Sequence, residues 1–168
     1  MNKIWFTSDL HLDHKNILKL QTNRDFVFIE ENNEHIRNIW KSMVAEEDTV
    51  FVLGDVCFSK KDHISDLPGN KVLIKGNHDY NVQGFASVHD YLEIKHNGIF
   101  IVLFHYPITY WNKSHYGSWH LHGHTHGAFM GNGRIMDVGL DNHPCFRMFS
   151  FDEVQDHIGD AYIVGAHV

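Results

Sequence analysis

One pattern recurs along this chain and restricts its fold more than any other: a short apolar run breaks off into a polar tip. Ile4-Trp5-Phe6-Thr7 leads into Ser8-Asp9-Leu10-His11, and Thr49 to Leu53 leads into Gly54-Asp55. Val72-Leu73-Ile74 leads into Lys75-Gly76-Asn77-His78-Asp79, and Ile99 to Phe104 leads into His105-Tyr106-Pro107. Trp119 to His122 leads into Gly123-His124-Thr125-His126. Short runs rich in β-branched and aromatic side chains read as strands buried on both faces. Helical spacing lies between the first two. A helix starts near Asn16 with Ile17, Leu18 and Leu20 inward. A second, capped at Asn32 or Asn33, carries Ile36, Ile39, Trp40, Met43 and Val44. Tyr91 to Lys95 and Ile99 to Phe104, around Asn97-Gly98, predict a hairpin. Arg134 to Val138 and Arg147 to Ser150 are further strand candidates. Phe151 to Ile158 predicts a closing helix with Asp152 and Glu153 in its first turn. Alternation early and strands late argue an α/β layered domain with mixed sheets. Ligands bind past strand ends in open α/β sheets, so the tips could converge on one rim.

Each tip alone is weak. Asp9-x-His11 could be a turn capped by its own side chains, and Gly54-Asp55 is a common turn dipeptide. Gly76-Asn77 could serve a left-handed loop. In Gly123-His124-Thr125-His126 the imidazoles alternate and so share one side of an extended segment, the strongest single sign of metal. Together the tips supply more Asp, Asn and His donors than one tetrahedral zinc can use. Mixed imidazole and oxygen donors accept manganese, iron, nickel or zinc. A set this large fits two divalent ions about 3.5–4 Å apart sharing a carboxylate.

Composition narrows the reading further. The chain has 168 residues, which at roughly 100–200 per domain argues a single domain over 1–168. Sixteen histidines outnumber the 14 Lys and Arg together, yet they form no contiguous tract. The net charge of −7 disfavours extended nucleic acid and anionic membranes, which need clustered Lys and Arg. A small phosphate ester held by metal ions is still compatible, because bound cations dominate the local field. Two cysteines far apart read as reduced thiols. No apolar run approaches the ~20 residues of a membrane span. Ile4-Trp5-Phe6 is too short for a secretory leader, so the expected compartment is the cytoplasm.

The ordered series Asp9-x-His11, Gly54-Asp55, Gly76-Asn77-His78-Asp79, His105 and Gly123-His124-x-His126 resembles the calcineurin-like metallophosphoesterase superfamily. Phe6-Thr7-Ser8-Asp9-Leu10-His11, then His14-Lys15-Asn16-Ile17, is similar to the opening of its small, cap-less bacterial and phage members. The resemblance implies a four-layer αββα sandwich, two mixed sheets flanked by helices, forming one metallophosphoesterase domain. It implies that Asp9, His11 and His126 hold one metal, that Asn77, His105 and His124 hold the other, and that Asp55 bridges them. His78 would sit beside the substrate phosphate as proton donor, with Asp79 orienting it. The implied activity is a dinuclear-metal-dependent phosphodiesterase on small phosphate esters or nucleotides, by attack of a metal-bridging hydroxide. The alternatives are a phosphomonoesterase on the same site, a non-catalytic metal-binding scaffold, and a metal store suggested by histidine content alone.

Outside those blocks, His14, Arg24 and Tyr106 are candidate substrate contacts. Tyr106, Tyr110, Trp111 and Trp119 could form an aromatic wall, although buried packing is the better account of most of them. Residues 112–117 read as a loop that could gate the site. His122 shares the parity of His124 and His126 and so could lie near the metals. His35, His63, His89, His96, His143, His157 and His167 read as surface or packing residues.

Overall fold

The computed structural model describes residues 2–80, 83–129 and 131–163, so His167 lies outside the described residues. In chain order the elements are β1 (Ile4–Thr7), α1 (Ile17–Leu20), α2 (Ile29–Met43), β2 (Thr49–Val52), β3 (Asn70–Ile74), β4 (Ser87–His89), β5 (Leu92–His96) and β6 (Ile99–Leu103). There follow a 3-10 turn (Ser114–Tyr116), β7 (Trp119–His122), β8 (Ile135–Asp137), a 3-10 turn (Leu140–Asn142), β9 (Phe149–Ser150) and α3 (Phe151–Ile158). One sheet has the order β4-β3-β2-β1-β9, the other β5-β6-β7-β8. Each is mixed. In the first, β9 alone runs antiparallel to its neighbour. In the second, the β5–β6 hairpin is antiparallel while β6, β7 and β8 are parallel.

The apolar runs become strands because both faces of each are covered. Phe6, Phe51, Leu53, Val72 and Ile74 of the first sheet share a core with Ile101, Leu103, Trp119, Leu121 and Met136 of the second. That shared core is the layer between the sheets. The outer face of the first sheet packs Trp5, Val50, Val52 and Leu73 against Ile36, Trp40 and Val44 of the α2 region. Burying one such side chain contributes about 1.5–3 kcal/mol, so this face is a main anchor of α2. On the outer face of the second sheet, Val102 and Ile135 are covered by Trp111 and Ile108. Helix α3 closes the inter-sheet layer, with Phe151 stacked on Trp119 at 5.6 Å.

The α/β sandwich of two mixed sheets is as expected, and several local expectations are corrected. Asn32 and Asn33 are buried inside α2 and do not cap it; its N-cap is Phe28, and the Glu31 side chain accepts the Phe28 backbone N–H. Asn33 is needed elsewhere: it accepts from the Asp13 backbone and donates to the Asp13 carboxylate at 2.7 Å. Strand β4 has no counterpart in the sequence reading, because Ser87-Val88-His89 is too short and polar to register as an apolar run. Asn112 donates to Glu93 and Lys113 sits 3.4 Å over the Phe100 ring, so the 112–117 loop packs on the β5–β6 hairpin. Trp111 and Trp119 are buried packing residues, whereas Tyr110 points to solvent. No helix among the described residues is long and apolar enough to cross a membrane.

Candidate metal centre

The five polar tips all follow the carboxyl ends of strands and gather on one rim. Asp9 and His11 follow β1, Asp55 follows β2, and Asn77 and His78 follow β3. His105 follows β6, and His124 and His126 follow β7. The two sheets are stitched together at this end. Ser8 pairs with Gly139, and the Leu140 N–H donates to the Ser8 carbonyl at 3.2 Å. Ser8 Oγ and His105 Nδ1 both donate to the Leu53 carbonyl, at 2.6 Å each.

Two groups of side chains there could each hold a metal. Asp9, His11 and His126 form one and Asp55, His105 and His124 the other; within each, the ligand atoms lie within 4.8 Å of one another. Asp55 faces both. Its Oδ2 is 3.8 Å from His11 Nε2, and its Oδ1 is 3.6 Å from His105 Nε2. Asn77 joins the second group, with Oδ1 3.2 Å from His105 Nε2. His11 Nε2 and Asp9 Oδ1 are buried without a hydrogen-bond partner among the described residues, and at 3.7 Å they do not bond one another. Orphaned buried donors and acceptors are costly. A cation between them would satisfy the carboxylate and the imidazole together, so the donor set fits a divalent metal.

Left-handed backbone is concentrated at this rim, which holds five of the nine positive-φ non-glycine residues among the described residues. Asp9, His11, Asp55, His124 and His126 all have positive φ, between 46° and 71°. Each left-handed non-glycine residue costs about 1 kcal/mol or more, and such strain concentrates at functional sites. The strain turns each side chain back over the strand end instead of away from it. Glycine supplies the close approach. A Cβ on Gly123 would collide with Ser8 Oγ and the Asp9 carboxylate, and one on Gly76 with Asp55 Oδ1.

A second ring of contacts fixes the imidazoles. His105 Nδ1 donates to a carbonyl, which can only accept, so Nε2 is left with a lone pair toward Asn77 and Asp55. His126 Nδ1 donates to Asp141 Oδ2 at 2.7 Å, leaving Nε2 toward Asp9. Burial opposes charge on His126, but Asp141 outweighs it and raises its pKa. Asp141 is held below the usual carboxylate range against burial by His126 and Arg24. His11 Nδ1 pairs with His14 Nδ1 at 3.1 Å. Burial and the nearby His11 and His78 charges depress His14. Burial and His105 likewise depress His124. Burial pushes the Asp9 carboxyl up, and the surrounding His11, His126 and His105 more than offset it.

Several candidates sit differently from expectation. Arg24 does not face substrate: it is 2% exposed, bonded to both Asp141 oxygens and to the carbonyls of Asp9 and Leu10. It holds the strained Asp9 turn from beneath. Asp79 does not orient the His78 imidazole. Its carboxylate accepts the backbone N–H groups of Asp55, Val56 and Gly76 at 2.8–2.9 Å, clamping the β2 and β3 tips together. His78 lies at the rim with its side chain 42% exposed and Nε2 4.0 Å from Asp55 Oδ2. Tyr106 packs edge-on against His105 and His124, its hydroxyl 3.5 Å from Asn77 Oδ1. His122 is buried, donating from Nδ1 to the Gly123 carbonyl, and is not brought into either group. Asp141 was missed, although Ile135 to Gly139 followed by Leu140-Asp141-Asn142 repeats the same run-and-tip pattern.

No family model matches the chain. The protein of unknown function AQ665 from Aquifex aeolicus has the same fold, with a TM-score of 0.77 at 24% identity over 94% of this chain and all of that one. The uncharacterized protein MJ1445 of Methanocaldococcus jannaschii is 35% identical over 132 residues, 75% of this chain and 70% of that protein. The gene 66 proteins of mycobacterium phages D29 and L5 are each 30% identical, over 95% and 93% of this chain and 98% and 94% of their own lengths. With that identity sustained over more than two-thirds of each relative, the chain belongs to the family of the phage gene 66 proteins and MJ1445.

Proposed function

We propose that the chain is a dinuclear-metal-dependent phosphohydrolase, a phosphodiesterase on small phosphate esters or nucleotides, as its resemblance to calcineurin-like metallophosphoesterases implies. The observation that carries the reading is Asp55, which turns one carboxylate oxygen toward each of two histidine-carboxylate groups. Asp9, His11 and His126 would hold one divalent ion, Asn77, His105 and His124 the other, with manganese the first expectation. Two such ions, when bound, supply positive charge for phosphoryl oxygens and acidify a water toward neutral pKa.

The chain's own residues do the rest. The Leu53 carbonyl and the Asp141 carboxylate keep His105 and His126 in the tautomer whose Nε2 faces inward. His78 is the exposed imidazole at the rim, its backbone N–H held by Asp55 Oδ1 at 3.1 Å. From there its Nε2 can hydrogen-bond a phosphoryl oxygen or deliver a proton to the leaving oxygen. His78 and His124 are exposed at the rim, which leaves room for an ester with two substituents.

The test is turnover of bis(4-nitrophenyl) phosphate and 4-nitrophenyl phosphate by protein loaded with manganese, before and after chelation. Hydrolysis of the diester, lost on chelation, is expected; preference for the monoester would make the protein a phosphatase. His78→Ala should keep both metals by elemental analysis and lose about 10²–10⁴-fold in kcat. No turnover with manganese, iron, nickel or zinc would overturn the reading.

A further inference from the structure

We propose that the cleft beside His78 receives the alcohol portion of the ester, and that it selects a planar aromatic group bearing a further negative charge, a nucleotide. This rests on the phosphohydrolase reading and gives that site its substrate class. The loop that follows the bridging carboxylate runs from Val56 to Ile64 and forms one wall of a cleft of about 270 Å³. His78, Tyr80 and Gln83 form the other. The volume lies just below the roughly 300–1,000 Å³ typical of small-molecule sites. His78 belongs to both the rim and the cleft. A phosphoryl group over the two histidine-carboxylate groups would therefore have its leaving side toward this opening.

The walls have a definite chemistry. Phe58 stacks on His14 at 3.9 Å and 9°, and its centroid is 4.5 Å from His78. Its ring is nonetheless 37% exposed, and Tyr80 across the cleft is 84% exposed. The exposed Tyr80 ring and the exposed edge of Phe58 suit a flat heterocycle, and base–aromatic stacking is strong and tolerant of base identity. Lys60 and Lys61 line the same cleft, and neither has an ion pair among the described residues. The one carboxylate lining the cleft, Asp62, is occupied by the backbone N–H groups of Ile64 and Ser65 at 3.0 and 2.9 Å. The cleft is thus locally cationic on a chain of net charge −7.

The loop is also set in advance. Asp13 accepts from Asn33 at 2.7 Å, pairs with His63 at 2.8 Å, and accepts from Ser59. Arg37 of α2 donates to the His63 carbonyl. With Asp13 so engaged, the Asp13–Cys57–His63 group serves as a brace that presents Phe58. Preorganisation of this kind reduces the ordering cost of binding.

The experiment measures inhibition of nitrophenyl diester turnover by inorganic phosphate, ribose 5-phosphate, adenosine 5′-monophosphate and adenosine 3′,5′-bisphosphate. The monophosphate should bind about tenfold more tightly than ribose 5-phosphate, and the bisphosphate more tightly still. Phe58→Leu, which keeps apolar packing on His14, should reduce the ratio of monophosphate to ribose 5-phosphate affinity to under about twofold. Lys60→Ala/Lys61→Ala should remove only the bisphosphate advantage. Equal inhibition by the three organic phosphates, or preferences unchanged in both variants, would overturn the proposal. If no ester is turned over, the phosphohydrolase reading fails. Calorimetric binding of adenosine 5′-monophosphate, and its loss in Phe58→Leu, then still decides what the cleft accepts.

Discussion

At the scale of single residues, Asp141 links the most functions to one carboxylate. It accepts from His126 and, through both oxygens, from a guanidinium that is fully buried on its side-chain atoms. Asp141→Asn removes the charge while keeping the shape. Partners of metal-binding histidines typically set affinity by about 10–100-fold, so manganese affinity should fall in that range when titrated by the free-ion paramagnetic signal. Breaking one side of a buried ion pair costs about 3–5 kcal/mol, so the urea midpoint should fall too. His120 makes a different prediction. Burial drops its pKa to about 4, against the Val102 and Tyr106 carbonyls, which favour the charged ring. Its folded value lies below its unfolded value of about 6.5, so the folded state binds fewer protons between the two. Stability from this group is complete above pH 6.5 and declines as pH falls toward 4, by about 3 kcal/mol in all. His120→Gln should flatten that part of the stability–pH curve in chemical denaturation. The spacing of the tips made Asp9, Asp55 and the histidines legible. Asp141 and Arg24 pair across 117 positions, and no local pattern encodes such a contact.

At the scale of elements, the site depends on five strand ends, those of β1, β2, β3, β6 and β7, being held at one rim. Asp79 does this for β2 and β3 by accepting three backbone N–H groups from the two tips. It is largely buried, and burial raises its pKa against those three hydrogen bonds. Asp79→Ala would leave amides in the tips unsatisfied, at about 1–3 kcal/mol for each that stays buried. The expected result is a loss of about 3 kcal/mol and faster hydrogen exchange at the amides of Asp55, Val56 and Gly76. Exchange unchanged at those three positions would mean that the tips are held some other way. Strand and helix identities were readable where a run was apolar and a period clear, as in β7 and α3. They were unreadable where a tertiary partner overrode local preference. Asn32 and Asn33 look like caps in isolation, yet Asn33 is drawn into α2 because Asp13 offers it two hydrogen bonds. The left-handed turns of Asp9 and His11 were equally hidden, since most Asp and His residues avoid that conformation and the Arg24 contact that supports the Asp9 turn is not local.

At the scale of the whole molecule, folding is what assembles the donors. The two groups draw on positions from 9 to 126 and on both sheets, so an unfolded chain presents no comparable site. A ligand that binds only the folded state stabilises it by mass action, by about 2.7 kcal/mol at a hundredfold excess over Kd. For a chain of this size 1 kcal/mol shifts Tm by about 2–4 °C. Filling one group with manganese should therefore raise Tm by roughly 5–10 °C, and filling both by more. Scanning calorimetry with metal, then with chelator, reads this without reference to any substrate. The shift should shrink as pH falls below about 6, where protons compete for the imidazoles. Asp55→Ala is the sharper control, because this one carboxylate faces both groups. It should weaken both increments of stabilisation, whereas His124→Ala should weaken one. A Tm indifferent to metal in the wild-type chain would mean that the orphaned Asp9 and His11 atoms are satisfied by water, and the dinuclear reading would fall with it.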